Sequence, residues 1–409
     1  VLSPLMISQK DDELLGVANR ADAMGVLAVW SRRARDLVPH LSAQTHEVRG
    51  FQMLVEAYRL WESFEAEHPR YAGRLEDFFL LVEQVFARTA GAQDGGWPLP
   101  GSRRVMRQHG GAVWVSVVDP DWHLLDAQKA NGVWGLYRGS AQRAGLLSED
   151  TRRLSEATLK AATRAPGLGL RAQNALFKMA ARAMEGESVR YSPARTAPLA
   201  ADVYRTFREV PLAAHLREAL IERHALNRAL ARRLVGVAHL EHRTFLTQAA
   251  EALPEHREAI LGVVRCENLL GIVESIFMWL CACNGQILAA AVAELPVDLA
   301  ALEDARAGFA RSGNYAGETA LARYTRLHEC LETSTKMALT RSVLELHRRV
   351  NEERGRAPWV WEEAGVVRSD VEVGRPRARE LEVGVVWRNS YYLNALHSIT
   401  NQLAGLLDG

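Results

Sequence analysis

The chain has 409 residues, 48% of them hydrophobic, and a formal net charge of +1. That length supports two or three domains, and that apolar content supports a sizeable core, which excludes wholesale disorder. The near-zero charge excludes a uniformly basic coat for nucleic acid but leaves room for a local patch.

Of the 50 basic residues only five are lysine. GC-rich coding produces such an arginine bias unaided; the same bias supplies planar forks for phosphate and carboxylate. Four cysteines (Cys266, Cys281, Cys283, Cys330) in so long a chain make no disulfide framework and fit a reducing cytoplasm. The opening "VLSPLMISQKDDELLG" has neither a basic n-region nor a long apolar h-region, so no signal peptide is expected. The most apolar run, residues 269–295, is interrupted by Glu274, Asn284 and Gln286. It falls short of the ~20 apolar residues of a membrane span. It reads as a buried helix, a turn at Asn284-Gly285 and a second helix, and no membrane contact is expected.

Helical periodicity dominates the chain. Apolar residues recur at three- and four-residue steps over 11–38, weakened by Gly16 and Gly25. Further helices are expected after Thr45, through "FQMLVEAYRLWESF", and over "RLEDFFLLVEQVFARTA". "GAQDGGWPLPGSRR" then breaks the pattern. Residues 111–119, "GAVWVSVVD", read as a short strand or extended link, 121–130 as a helix and 131–144 as another, with Gly145 as its cap. A fresh helix starts at Ser155, and "TRAPGLGLRAQ" is the next break. Residues 199–350 read almost wholly as helix punctuated by Pro211, Pro254 and Pro296. In 214–240, Leu216, Leu220, Leu230 and Leu234 share one face, as in a bundle helix. The β-branched runs of 357–390, with Gly374-Arg375-Pro376 between them, predict a β-ribbon before a last helix. The expected fold is therefore mainly α: a multi-helix bundle with a winged-helix-like segment mid-chain and a short C-terminal ribbon. The expected segments are 1–102, 103–165, 166–350 and 351–409. No fixed-period repeat supports a solenoid.

Catalytic motifs are sparse. No phosphate-binding G-x-x-x-x-G-K-[ST] occurs, and "GLGLRA" at 167–172 follows Pro166 without a preceding strand. Cys281-Ala-Cys283 is too closely spaced for a zinc site, and "HLEH" (His239, Glu241, His242) matches no zinc-protease order. No cofactor is expected. Asp119, Asp121, Asp126 and Lys129 are the best enzymatic candidates, as carboxylates of a metal-dependent nuclease or hydrolase, although Asp126-x-x-Lys129 is one residue too long. Glu267 and Glu274 lie seven apart, hence on nearly one helix face, where buried carboxylates call for arginine partners.

The stretch "VWGLYRGSAQRAGLLSEDTRRLSEATLKAA" reads as helix, short ribbon, polar tip and helix, the order found at the end of a winged-helix domain. Between Asn131 and Arg171, seven basic residues (Arg138, Arg143, Arg152, Arg153, Lys160, Arg164, Arg171) face three acidic ones (Glu149, Asp150, Glu156). Such a patch could contact phosphates, with Arg138, Arg143, Arg152, Arg153 and Lys160 as the candidate nucleic-acid set. Trp359, Trp361, Trp387, Tyr391 and Tyr392 are candidate anchors for partner proteins, because Trp, Tyr and Arg dominate interface hot spots; ordinary core packing is the competing role.

The segments "DDELLGVANRADAMG…LVPHLSAQTHEVRGF", "ANGVWGLYRGSAQRAGLLSED" and "VVWRNSYYLNALHSI", in that order, resemble a group of uncharacterised helical proteins encoded in bacterial phage-defence islands. Those carry a Leu-Pro-x-Leu-[ST] segment, which Val38-Pro39-His40-Leu41-Ser42 meets except at its first residue, and Arg49-Gly50-Phe51 stands where they have an Arg-Tyr-like pair. The resemblance covers about a quarter of the chain and implies no catalytic residue. It points toward a subunit of a defence or DNA-processing assembly, and no further. The expected function is a non-enzymatic subunit that acts through other protein subunits, with DNA contact as an additional option. A stand-alone DNA-binding regulator and the Asp119-Asp121-Asp126 hydrolase are the alternatives.

Overall fold

The computed structural model describes residues 22–93, 96–107, 113–192, 198–311 and 318–407. They are mainly helical, as expected. The chain divides into two compact units, and neither is one continuous stretch. One comprises Val1–Val38 with His239–Leu393; the other comprises Pro39–Ala238 with Asn394–Gly409. The four consecutive segments read from the sequence do not coincide with them.

The first unit is built on the Arg257–Ala282 helix. Ile260, Val263, Leu269, Leu270, Val273, Ile276, Phe277 and Leu280 bury it around most of its circumference, which is why it lacks a polar stripe. The Leu27–Leu37, His242–Ala252, Leu299–Ala310 and Lys336–Glu353 helices pack against it. The part of the first expected helix before residue 22 lies outside the described residues. His347 is fully buried and ties three segments together: it is bonded at Nδ1 to the Ala23 carbonyl (2.9 Å), and its Nε2 accepts the Trp359 N–H (3.2 Å). Burial pushes its pKa down to about 4, so it is neutral at neutral pH.

The C-terminal ribbon is shorter than its composition suggests. Val360–Glu363 pairs antiparallel with Val366–Ser369 around an Ala364-Gly365 turn. Ile287 adds a single bridge to Val366. Residues 383–387 form no strand, and the chain just beyond them, at Arg388, is held by Glu267 of the central helix.

The second unit rests on two long helices, Val48–Glu67 and Leu75–Gly91. Their buried polar residues hold backbone that has no ladder of its own. Gln52 accepts the Leu212 N–H (3.1 Å), and Glu56 accepts that of Leu168 (3.2 Å). Gln84 bonds both the N–H and the C=O of Ser116 (3.0 and 2.7 Å). Glu83 accepts from Val133 N–H (2.7 Å) at the start of the Val133–Arg143 helix, where a carboxylate also meets the helix dipole. Burial still lifts its pKa to about 7. Val113–Val115 pairs antiparallel with Val189–Tyr191. The 121–130 region is helical only over Gln128–Asn131, after a short turn at Pro120–Trp122. The Asp119 side chain, which accepts the Asp121 N–H, and Pro120 start that single turn, which ends at Trp122. The final Leu393–Leu407 helix closes this unit, with Gln402 accepting the Val48 N–H (2.9 Å). Among the described residues no helix is long and apolar enough to cross a membrane.

Candidate functional site

The 133–164 stretch folds as an arm. The Val133–Arg143 helix ends in a Schellman motif: Leu146 N–H reaches Ala141 C=O (2.8 Å), Gly145 N–H reaches Gln142 C=O (2.9 Å), and Gly145 takes φ +69°. A single antiparallel bridge, Leu147 to Leu154, follows. Ser155 then caps the Glu156–Arg164 helix and donates to the Gly145 carbonyl (2.8 Å), closing the loop on itself. Close packing seats the arm, since a Cβ on Gly50 would come within 2.4 Å of the Tyr137 ring.

The tip turns at Thr151, whose φ of 56° is unfavourable for a β-branched residue. Three side chains hold it there. The Tyr58 hydroxyl donates to the Thr151 carbonyl (2.9 Å), Arg138 bonds the Thr151 hydroxyl, and the Arg138 guanidinium lies 4.8 Å over the Trp134 ring, itself stacked on Tyr58. Tyr58→Phe removes the carbonyl bond while keeping the ring. The amides of 150–153 should then exchange with solvent about fivefold faster, the loss of one buried bond of about 1 kcal/mol, while the helices keep their protection. Unchanged exchange at the tip would mean that Tyr58 does not hold it.

The five candidate cations thus separate into two groups. Arg138 and Arg143 are structural: Arg143 donates to the carbonyls of Pro39 (2.8 Å) and Leu41 (3.2 Å). Arg152, Arg153 and Lys160 are exposed. Arg153 makes only a loose pair with Glu65 at 3.7 Å. Arg152, Lys160 and the neighbouring Arg164 form no ion pair among the described residues. Lys160 and Arg164, four apart, share one face of their helix. Beside them opens a shallow groove of about 470 Å³ between the Val48–Glu67 and Glu156–Arg164 helices, floored by Arg59 and walled by Ser63, Leu159 and Thr163. Glu56 holds Arg59 (2.7 Å), so this cation is already matched.

Comparison with protein-family models, with curated proteins and with solved structures returns no match. The site is therefore read from its own chemistry.

The other candidates fall differently. Asp119 caps its turn and Asp126 pairs with Arg104 (2.8 Å). Among the described residues no three His, Cys, Asp or Glu side chains are placed to hold a metal ion. The three aspartates therefore lack the convergence that a metal-dependent hydrolase requires. Of the aromatic set, Tyr391 and Tyr392 are core residues, 0% and 6% exposed, each edge-on to Trp30; they present no surface to a partner. Trp359 packs edge-on against Phe277 and His347. Trp387 stacks on His242 beneath the Arg243 guanidinium. Trp361, on the ribbon, is half-buried.

Glu267 organises a buried polar cluster of the first unit. Glu267 accepts the N–H groups of Arg388 and Asn389 (the latter at 3.1 Å), the Asn389 side-chain amide (3.0 Å) and the Tyr391 hydroxyl (2.8 Å). The expected arginine partner comes from the 387–391 segment rather than from a helix. The Arg388 guanidinium donates to Ser275 (2.8 Å) and faces Glu274 electrostatically. Sequence reading also missed Trp114 and Trp122, whose rings lie 6.3 Å apart on the second unit. The signal was present in "GAVWVSVVD", where Val113 and Val115 alternate with Trp114 at the outward position.

Proposed function

We propose that this chain is a non-enzymatic helical subunit of a bacterial multi-protein defence or DNA-processing assembly, acting by contacts with partner proteins and with DNA. The DNA-facing element of this reading is the 133–164 arm, used in the manner of a winged helix: it positions the subunit on phosphates without reading sequence. The observation that carries it is the exposure of Arg152, Lys160 and Arg164 without ion pairs among the described residues, at and just after a tip fixed by Tyr58 and Arg138. Four cysteines, none of them joined in a disulfide among the described residues, support a cytoplasmic setting.

The test is duplex DNA binding as a function of salt. Reversal of all three charges (R152E, K160E, R164E) should weaken binding and flatten the plot of log K against log salt by about 3 in slope, close to one for each phosphate left without its cation. Retention of both affinity and slope would overturn the arm as the DNA contact. Co-purification from the native host, with and without nuclease, tests the assembly: a stoichiometric protein partner that survives nuclease is expected.

A further inference from the structure

The outer face of the small Val113–Val115/Val189–Tyr191 ribbon is built with unusual care for a surface feature. Trp114 and Arg190 are cross-strand neighbours on it, and Trp122 lies beside Trp114 with its ring tilted by 40°. Both indoles are half-buried, while Val118, 57% exposed, extends the apolar surface. Beneath them the Leu75–Gly91 helix spends three polar residues, all buried, on holding this face still. Gln84 clamps both backbone groups of Ser116, Arg88 donates to the Trp122 carbonyl (2.7 Å), and the Thr89 and Tyr191 hydroxyls share a 2.5 Å bond. Arg104 donates to the next carbonyl, that of His123 (2.9 Å). A buried arginine is costly to retain, and here it fixes a surface loop. Immobilised aromatic residues at a surface lower the ordering cost of binding, as hot-spot anchors do.

Exposed charges flank both rings along the chain: Asp121 beside Trp122, and Arg190 across from Trp114. Asp121 precedes Trp122, is exposed and forms no ion pair among the described residues, and Asp119 sits in the same turn. Indole faces attract cations, and a neighbouring carboxylate adds to that attraction. A phosphate chain laid across the rings would instead meet the exposed Asp121 carboxylate. We infer that the Trp114–Trp122 face is a docking surface for a partner-protein segment that presents an arginine or lysine side chain, seated on the indoles with its charge toward Asp121. Arg190, at the Trp114 end, sets the polarity of that segment by favouring an acidic or carbonyl group there. The inference rests on the reading of the chain as a partner-docking subunit and names the chemistry of one partner.

The experiment uses the full chain with indole ¹⁵N-labelled tryptophan, the Trp114 and Trp122 signals being assigned through Trp114→Phe and Trp122→Phe. Three probes are titrated: acetyl-Gly-Arg-Gly-amide, its Gly-Glu-Gly counterpart, and oligothymidylate. The arginine peptide should move those two signals and leave the other tryptophans in place. Asp121→Asn, a surface change that touches no packing, should weaken it about threefold. Equal shifts with the glutamate peptide, shifts of the same two indoles by oligothymidylate, or no shift with any probe would each overturn the inference. So would a co-purifying partner that is retained in full by the Trp114→Ala/Trp122→Ala double variant, a result that leaves the proposed function standing. Absence of any protein partner from the wild-type chain would overturn the proposed function itself.

Discussion

Glu267→Ala lowers the stability of the unit built on the Arg257–Ala282 helix by about 3–5 kcal/mol, the range for breaking a buried charged network by removing one member. The carboxylate is 0% exposed and accepts four hydrogen bonds from the 388–391 segment. Alanine would strand four donors, two of them backbone N–H groups that no ladder can satisfy. The segment also carries stored strain. Tyr391 and Tyr392 are consecutive left-handed residues, with φ of 47° and 62°, each costing about 1–2 kcal/mol. The Tyr391 hydroxyl bond to Glu267 and the packing of both rings on Trp30 hold them there. Glu267→Gln, which keeps one acceptor oxygen, should cost about half as much. Because a chain of two units need not unfold in one step, the measurement is native-state hydrogen exchange along 257–282. A loss below about 1 kcal/mol in Glu267→Ala, the size of a single ordinary hydrogen bond, would show that the clamp contributes nothing to this unit.

At pH above 8, Glu274→Gln stabilises the same unit, and it removes a decline in stability with rising pH. Glu274 is half-buried as a residue, but its Oε2 is sealed from solvent without a hydrogen-bond partner among the described residues. Burial, reinforced by the nearby Glu267 and Asp22 charges and only partly opposed by Arg388 and Asn389, pushes its pKa from 4.5 up to about 8. A carboxyl whose folded pKa is raised binds its proton more tightly folded than unfolded. Its contribution is therefore complete below pH 4.5 and is lost as pH rises through 8. The span corresponds to a loss on the order of 4–5 kcal/mol. Glutamine mimics the protonated acid at every pH, so the urea midpoint followed in this unit should fall less between about pH 5 and 9 in the variant than in the parent. Parallel curves would show that Glu274 is ionised in the folded protein at neutral pH. His347 slopes the other way: its folded pKa is depressed to about 4, so its contribution is whole above 6.5 and lost as pH falls toward 4.

The helices were legible because their apolar residues repeat at helical spacing. The Ser155 cap, the Gly145 cap and the Asn284-Gly285 turn were legible because a local rule places each. The basic surplus around 131–171 could be counted, but its division could not. Arg138 and Arg143 face inward only because Thr151, Pro39 and Leu41 bring carbonyls or a hydroxyl within their reach. Arg152, Lys160 and Arg164 meet no such groups among the described residues.

The same limit explains the aromatic residues. Composition marked Trp359, Trp387, Tyr391 and Tyr392 for an interface, yet a ring is an anchor or a core residue according to what covers it, and Trp30, Phe277 and His242 cover these. Trp114 lay in a plain alternating strand pattern, and only the long-range bonds from Gln84 and Arg88 show that the chain around it is tied to the Leu75–Gly91 helix. Sequence by itself determined the helical class, several caps and turns and the presence of buried carboxylates, because those follow from periodicity, caps and hydropathy within a few residues. Tertiary structure alone decided which chain segments share a unit, which charges are spent internally and which rings remain available. Each of those depends on partners tens to hundreds of residues away, whose desolvation and hydrogen bonding no local pattern encodes.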